Sequence, residues 1–410
     1  MTELIDLGRG ADEDPFAPYR AAARVGPMAR VKAPLLGTHW MVTRAEGCQA
    51  GLKDQGLFVR APVSVGRSNA IALLDWAPRA IRALTQSMLT RDGEAHRRLR
   101  SLVDQAFAKR SVEALRPEAA AAARSLLDGI EGRLADGGVE DLVRAYARPF
   151  PLTIIAELMG VAGAERARFA RWADALTPSG SLWSVLSALP NLFQLTAWLR
   201  REFAARRADP RAGLITDLVA AEAEGDRLTA AELEATVVLL LFAGHVTTTH
   251  LISAGVWRLL EDAEGPALRR RLAEEPGFAA RFVDALLWRF PPIQLTVALS
   301  AQDQTFEGAR LARGETVLFG LAAALSDPER PEPVSAPLDP DAPRPAGLLA
   351  FGAGPHFCLG RALALLEAEI ALTQFAERAA AMRLDFGDGG PRWSGKTGAK
   401  GIAALPVRRA

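Results

Sequence analysis

The sequence predicts a mainly α-helical fold with a small β region, built as a single domain over residues 1–410. Apolar residues recur at spacings of three and four in Ala- and Arg-rich stretches along most of the chain. Strand-like runs are few and short. No internal repeat and no long linker divides the sequence, and a hydrophobic fraction of 49% supplies material for a large core.

The helical stretches fall at 94–109, 114–133, 140–159, 163–175, 230–262, 265–275, 278–289 and 360–379. Strand-like pieces are His39–Thr43, Leu295–Ser300, a pair around Phe306–Leu311 and Thr316–Phe319 joined through Arg313 and Gly314, and Ala403–Arg408. Prolines make 327–348 an irregular meander. Arg60–Arg91 mixes Pro, Ser and Gly with apolar residues and reads as a loop. Thr177–Trp198 is apolar yet broken by Pro and Gly, which suits either core or a lid over an apolar ligand.

Lys and Arg number 49 against 48 Asp and Glu, for a net charge of +1. That balance leaves no basic footprint for nucleic acid and no polybasic patch for a membrane surface. The N-terminal MTELIDLGRGADEDPFAPYR is unlike a signal peptide or an anchor. No apolar run approaches the roughly 18 residues of a membrane span, so a cytoplasmic protein is expected. Of the two cysteines, Cys48 reads as a small buried hydrophobe, and a disulfide to Cys358 is not expected. Gly390–Thr397 fits G-x-x-x-x-G-K-[ST], but a phosphate loop needs a helix starting at its Lys-Thr. Gly398-Ala-Lys-Gly follows instead, and a β-turn is expected there.

Phe351-Gly-Ala-Gly-Pro-His-Phe-Cys-Leu-Gly360 brackets Cys358 with glycines and leads into the helical pattern RALALLEAEIAL. A thiol at a helix N-terminus lies near the positive end of the dipole and near unpaired N–H groups, which lowers its pKa. The glycines allow close backbone approach to something flat and large. The stretch reads as a soft anionic metal ligand in a tight loop.

This loop resembles the haem-binding loop of the cytochrome P450 family, F-x-x-G-x-[HR]-x-C-x-G followed by a helix. Phe351, Gly354, His356, Cys358 and Gly360 match, and Ala364 and Glu367 continue the pattern. The resemblance runs across most of the chain and implies the cytochrome P450 fold, with haem b held by Cys358 as axial thiolate. His96-Arg-Arg-Leu-Arg100 is similar to the family's C-helix, which makes His96 and Arg100, with His356, holders of the haem propionates. Taken alone, His and Arg at that spacing read as a solvated helix face. Ala243-Gly-His-Val-Thr-Thr248 is similar to the oxygen-binding groove of the family's long I-helix. The resemblance implies that Ala243 and Gly244 leave room above the haem and that Thr247 hydrogen-bonds oxygen or water. Outside that frame, mid-helix threonines more often bond back to the preceding turn.

The sequence also departs from the family pattern. Val246 stands where an acid usually precedes the groove threonine, and valine carries no proton. Ala285 and Trp288 replace the Glu-x-x-Arg pair, and the meander arginine that completes it aligns with Pro337. Joint loss of all three is expected to leave an apolar repacking, with Asp284 and Arg289 wrongly spaced to substitute. Ala298 replaces a propionate-binding Arg.

The resemblance implies a monomeric oxidase that attacks a lipophilic small molecule, such as a secondary metabolite, using O2 and electrons from a ferredoxin system. The ferredoxin would dock behind Cys358 on Arg97, Arg98, Lys109 and Arg361. The pocket would be walled by residues 60–90, 177–198, Phe242–Val246 and Ile293–Val297, with Trp183, Leu186 and Phe193 marking an apolar ligand. Val246 opens an alternative: peroxide use, or oxidative coupling, cyclisation or rearrangement. A haem-binding scaffold with impaired catalysis is a third reading.

Overall fold

The computed structural model describes residues 3–10, 13–34, 36–66, 87–175, 182–223, 226–329, 332–344, 348–386 and 390–410. Helices dominate, and a small mixed sheet stands at one side. One apolar core draws on residues from Ile5 to Val407, and a smaller cluster lies around Met28, Val42, Phe58 and Phe319.

The centre of the core is the helix Ala230–Leu260. It starts at a reciprocal cap: the Glu232 amide donates to Thr229 Oγ1 at 3.3 Å, and the Thr229 amide donates to the Glu232 carboxylate at 2.8 Å. By length and composition alone it would span a membrane, contrary to the sequence reading. Its burial within the protein, with Glu234, His245, Thr249, Ser253 and Arg258 enclosed, explains the apolar composition instead.

Helices Gly93–Ala108, Arg116–Ala135, Gly163–Ala175, Gly265–Glu274, Phe278–Arg289 and Arg361–Arg378 lie close to the expected ranges. The stretch 140–159 divides into a π-helical turn, Val143–Ala147, and a helix, Pro149–Met159, because Pro149 has no N–H with which to continue the ladder. Helices Ala17–Val25, Ala45–Lys53 and Leu214–Ala220 were not anticipated. From Leu182 on, the ambiguous stretch belongs to a helix, Leu182–Ala208, which continues past Pro190, and its residues 177–181 lie outside the described residues. Leu192, Leu195, Trp198 and Leu199 are buried and Phe193 is exposed. The side chains of Trp183 and Leu186, and residues 67–86 of the expected pocket wall, lie outside the described residues.

The six-stranded sheet runs in the order Leu4–Asp6, Met28–Ala33, Gly37–Val42, Thr316–Phe319, Thr296–Ser300, Phe58–Val59. Thr316–Phe319 pairs with Gly37–Val42 and Thr296–Ser300, not with the strand around Phe306–Leu311 as the sequence suggested. Gln304–Phe306 and Ala309–Leu311 make their own hairpin, which turns at Glu307 and Gly308, both with positive φ. Trp393–Lys396 and Ala399–Ile402 form another hairpin, so the phosphate-loop match is a β-turn. The sheet reaches the Cys358 loop through one helix. Gly51 of Ala45–Lys53 is needed because a Cβ would lie 2.5 Å from the Phe319 ring, and the next residue, Leu52, abuts the loop.

The ionic tie to the meander is present, which corrects the expectation of a wholly apolar replacement. Ala285 is buried and Trp288 packs on the smaller cluster, as a repacked pair should. Arg289 nevertheless donates to the Pro333 carbonyl at 2.8 Å and pairs with Glu332. Burial, then the nearby Arg258 and Arg20 charges, push its guanidinium down to about 10. Buried Arg258 donates to the Ala336 carbonyl at 3.0 Å and pairs with Glu261 at 2.6 Å and with Glu264. Glu264 in turn accepts the Leu338 amide at 2.8 Å. The cations moved along the chain because meander carbonyls inside the protein still need donors. Arg258→Ala strands the Glu264 carboxylate and should cost about 3–5 kcal/mol in chemical denaturation. Arg289→Ala, whose acid partner is exposed, should cost less.

Candidate functional site

The Cys358 loop consists of two short 3-10 turns, Leu349–Phe351 and Gly354–His356, ahead of the helix Arg361–Arg378. Gly354 has φ 69°, and a Cβ there would lie 2.2 Å from the Leu52 carbonyl oxygen. Glycine is required twice over, by conformation and by contact. The Cys358 amide donates to the Phe351 carbonyl at 3.0 Å, and the Phe357 amide to the Gly354 carbonyl at 3.0 Å. Arg100 crosses from Gly93–Ala108 to donate to the Phe357 carbonyl at 2.7 Å, and its Nε donates to Asp104 at 2.9 Å. Arg361 sits over the Phe351 ring, 5.7 Å from its centroid.

The thiol of Cys358 is solvent-accessible, in a recess dense with protein atoms. Burial pushes it up, against the Gly360 amide and the Arg100 and Arg361 charges. The field expected at the helix start is present, but desolvation outweighs it, so the sequence reading had the sign wrong for the free thiol. Around Gly360 a Cβ would meet nothing within 4 Å, and Ala364 is half-buried in the next turn.

The middle of the long helix carries an open notch. Phe242 and Ala243 are exposed, although Leu241, His245, Thr248 and Thr249 beside them are buried. The hydroxyl of Thr247 donates to the Ala243 carbonyl at 2.8 Å, that of Thr248 to Gly244 at 2.9 Å and that of Thr249 to His245 at 2.7 Å. These back-bonds occupy the hydroxyl protons and leave oxygen lone pairs able to accept. A Cβ on Gly244 would lie 2.8 Å from Ile155 Cδ1, so this glycine serves helix packing. His245 is buried, with Nδ1 2.7 Å from the Leu241 carbonyl. Beside the notch, Glu367 is fully enclosed. Burial lifts its carboxyl well above the ordinary range, against a hydrogen bond with Thr248.

A third group gathers at the start of Gly93–Ala108. The rings of His96 and His356 lie 4.1 Å apart, and His96 Nδ1 and both nitrogens of His356 are buried without a hydrogen-bond partner. Burial, then the His356 and Arg100 charges, push His96 down to about 4. Asp92 accepts the Arg60 amide at 2.8 Å, the Ala61 amide at 2.7 Å and the Ser64 hydroxyl at 3.0 Å, and lies 3.9 Å from His356 Nε2. Burial disfavours its charge, but His356 and these donors prevail and hold it down to about 2. Asp92 escaped the sequence reading because its partners lie some thirty residues away. The corner so formed suits an anionic group, and the Cys358 loop suits a soft metal.

Comparison with known proteins points the same way. The family profile described as Cytochrome P450 matches residues 302–378. The chain is 32% identical to the cytochrome P450 monooxygenase PikC of Streptomyces venezuelae, over 100% of this chain and 94% of that one. It is 34% identical to the mycinamicin IV hydroxylase/epoxidase of Micromonospora griseorubida, over 95% of this chain and 94% of that one. The structure of the Bacillus subtilis 168 bacillaene polyketide synthase cytochrome P450 PksS superposes with a TM-score of 0.82 at 29% identity, covering 96% of this chain and 97% of that one.

Gly354→Ala should lose about 1–3 kcal/mol from backbone strain alone, read as a lower denaturation midpoint with faster labelling of the Cys358 thiol. Gly360→Ala, in open space at φ −82°, should be near neutral by both measures.

Proposed function

The chain belongs to the cytochrome P450 family, and from that premise we propose a haem-thiolate monooxygenase, one domain over residues 1–410, that oxidises a lipophilic secondary metabolite. The observation that carries this is the pairing of an accessible thiol in a Gly-shaped loop with a notch in the long helix. The residues fit haem b. Cys358 would supply the thiolate, the form that a bound metal favours over the free thiol. The unpartnered nitrogens of His96 and His356 suit the haem carboxylates, and Arg100, already paired with Asp104, would add its charge beside them. When bound, the haem supplies the oxygen-activating redox chemistry.

The protein's part is to position and to exclude. Phe351 packs on the loop under Arg361, and Gly354 locks the loop to Leu52. Gly360 and Ala364 keep the helix start slim. Ala243 keeps the notch open, Gly244 seats the long helix on Ile155, and Thr247 offers an accepting oxygen there. Phe242 and Phe193, both exposed, suit an apolar substrate. Electrons would come from a ferredoxin docked on Arg97, Lys109 and Arg361, all exposed. Arg98 leaves the expected set because it pairs with Asp226 at 3.0 Å and Glu232 at 2.6 Å. The balanced charge offers no basic footprint for nucleic acid or an anionic membrane, and the protein is taken as a cytoplasmic monomer. The test is the spectrum of the reduced, CO-bound protein. It should show the red-shifted band of thiolate ligation, and Cys358→Ser should abolish that band; an unchanged spectrum in the variant overturns the assignment.

Val246, together with the back-bonded threonine hydroxyls, favours a second reading in which the ordinary proton supply is weak. Peroxide use, or coupling, cyclisation or rearrangement of the substrate, would suit such a site. Val246→Glu should then raise the share of consumed oxygen that appears as product. If coupling and product distribution stay as in the wild type, the missing acid does not control the outcome.

A further inference from the structure

Ala298 leaves the haem carboxylates without the strand arginine expected at that position, and the geometry points to a replacement from the neighbouring strand. Phe58 faces Ser300 and Val59 faces Leu299 across the antiparallel pair. Arg60 follows directly after these paired residues. Residues two apart on one strand share a face, so Thr296 and Ala298 point the same way. Arg60 Nη1 donates to Thr296 Oγ1 at 2.6 Å, on the face that Ala298 occupies.

The backbone there is held as firmly as the side chain. Asp92 takes the amides of Arg60 and Ala61 and the Ser64 hydroxyl, so its oxygens are committed to the chain rather than to the guanidinium. Among the described residues no carboxylate forms a salt bridge with Arg60. Burial lowers the affinity of Arg60 for its proton, against the Asp92 charge, and the Arg60 charge is in turn felt at His96. Through Asp92, which takes its amide and lies 3.9 Å from His356 Nε2, half-buried Arg60 is tied to the corner where three nitrogens of His96 and His356 lack hydrogen-bond partners.

We propose that Arg60 holds a haem carboxylate, in place of the arginine that Ala298 lacks. The inference rests on the haem reading above and adds a residue to it. A guanidinium fork matches a carboxylate with two parallel hydrogen bonds, and the exchange moves that fork across one strand pair without changing the face.

The experiment measures the rate at which purified holoprotein gives up haem to excess apomyoglobin, with a thermal melt of each variant as the fold control. Arg60→Ala and Arg60→Gln should each release haem about tenfold faster or more, as expected for loss of a charge-assisted pair. The glutamine retains a donor for Thr296 but no charge, so equal loss in both variants assigns the effect to the guanidinium. Adding Ala298→Arg to Arg60→Gln should restore slow release. Wild-type release rates in folded Arg60→Gln, or no rescue by Ala298→Arg, overturn the proposal. A wild-type protein that carries no thiolate-ligated haem overturns the underlying reading instead, and is seen before any variant is compared.

Discussion

The close crossing of the long helix and the helix that follows Cys358 is the constraint on which the site depends. At Gly255 a Cβ would lie 2.5 Å from Leu372 and 3.0 Å from Leu286, so only glycine admits this approach without displacing its neighbours. Overpacking such a contact typically costs about 1–3 kcal/mol. Nearer the notch, Glu367 meets Thr248, and Tyr146 donates to the Ala371 carbonyl at 2.6 Å. These contacts fix how the Cys358 loop stands relative to Ala243 and Thr247. Burial at that junction raises the Glu367 carboxyl, because an enclosed carboxylate is costly, while the Thr248 hydrogen bond works against the rise.

Two departures from the family pattern share one physical logic. Deleting one partner of a buried ionic set strands the others, so the cations are moved rather than lost. At the meander, Arg289 and Arg258 supply the donors that the missing pair and Pro337 do not, while Ala285 and Trp288 fill the vacated volume. At the anionic corner, Arg60 reaches across to Thr296, which shares a strand face with Ala298. Asp284, which the spacing had set aside, reaches Arg344 at 3.8 Å on the surface.

Much of this was legible in the chain. Helix periodicity is a local property, and Gly163–Ala175 and Phe278–Arg289 emerge with the bounds expected of them. The loop around Cys358 was legible because its glycines answer to backbone geometry that only they tolerate. Leu182–Ala208 was missed as a helix because Pro190 and the glycine upstream are breakers in isolation, and burial of Leu192, Leu195 and Leu199 overrides them.

The sequence by itself determined the fold class, the family, the thiol in its loop, and the threonine-rich stretch without its acid. These are carried by residues near one another in the chain. The tertiary structure alone decided the direction of the Cys358 and Glu367 shifts, the strand partner of Thr316–Phe319, and the meeting of Arg60, Asp92, His96 and His356 at one corner. Each depends on desolvation and on charges brought together from distant segments, and neither quantity exists until the chain has packed.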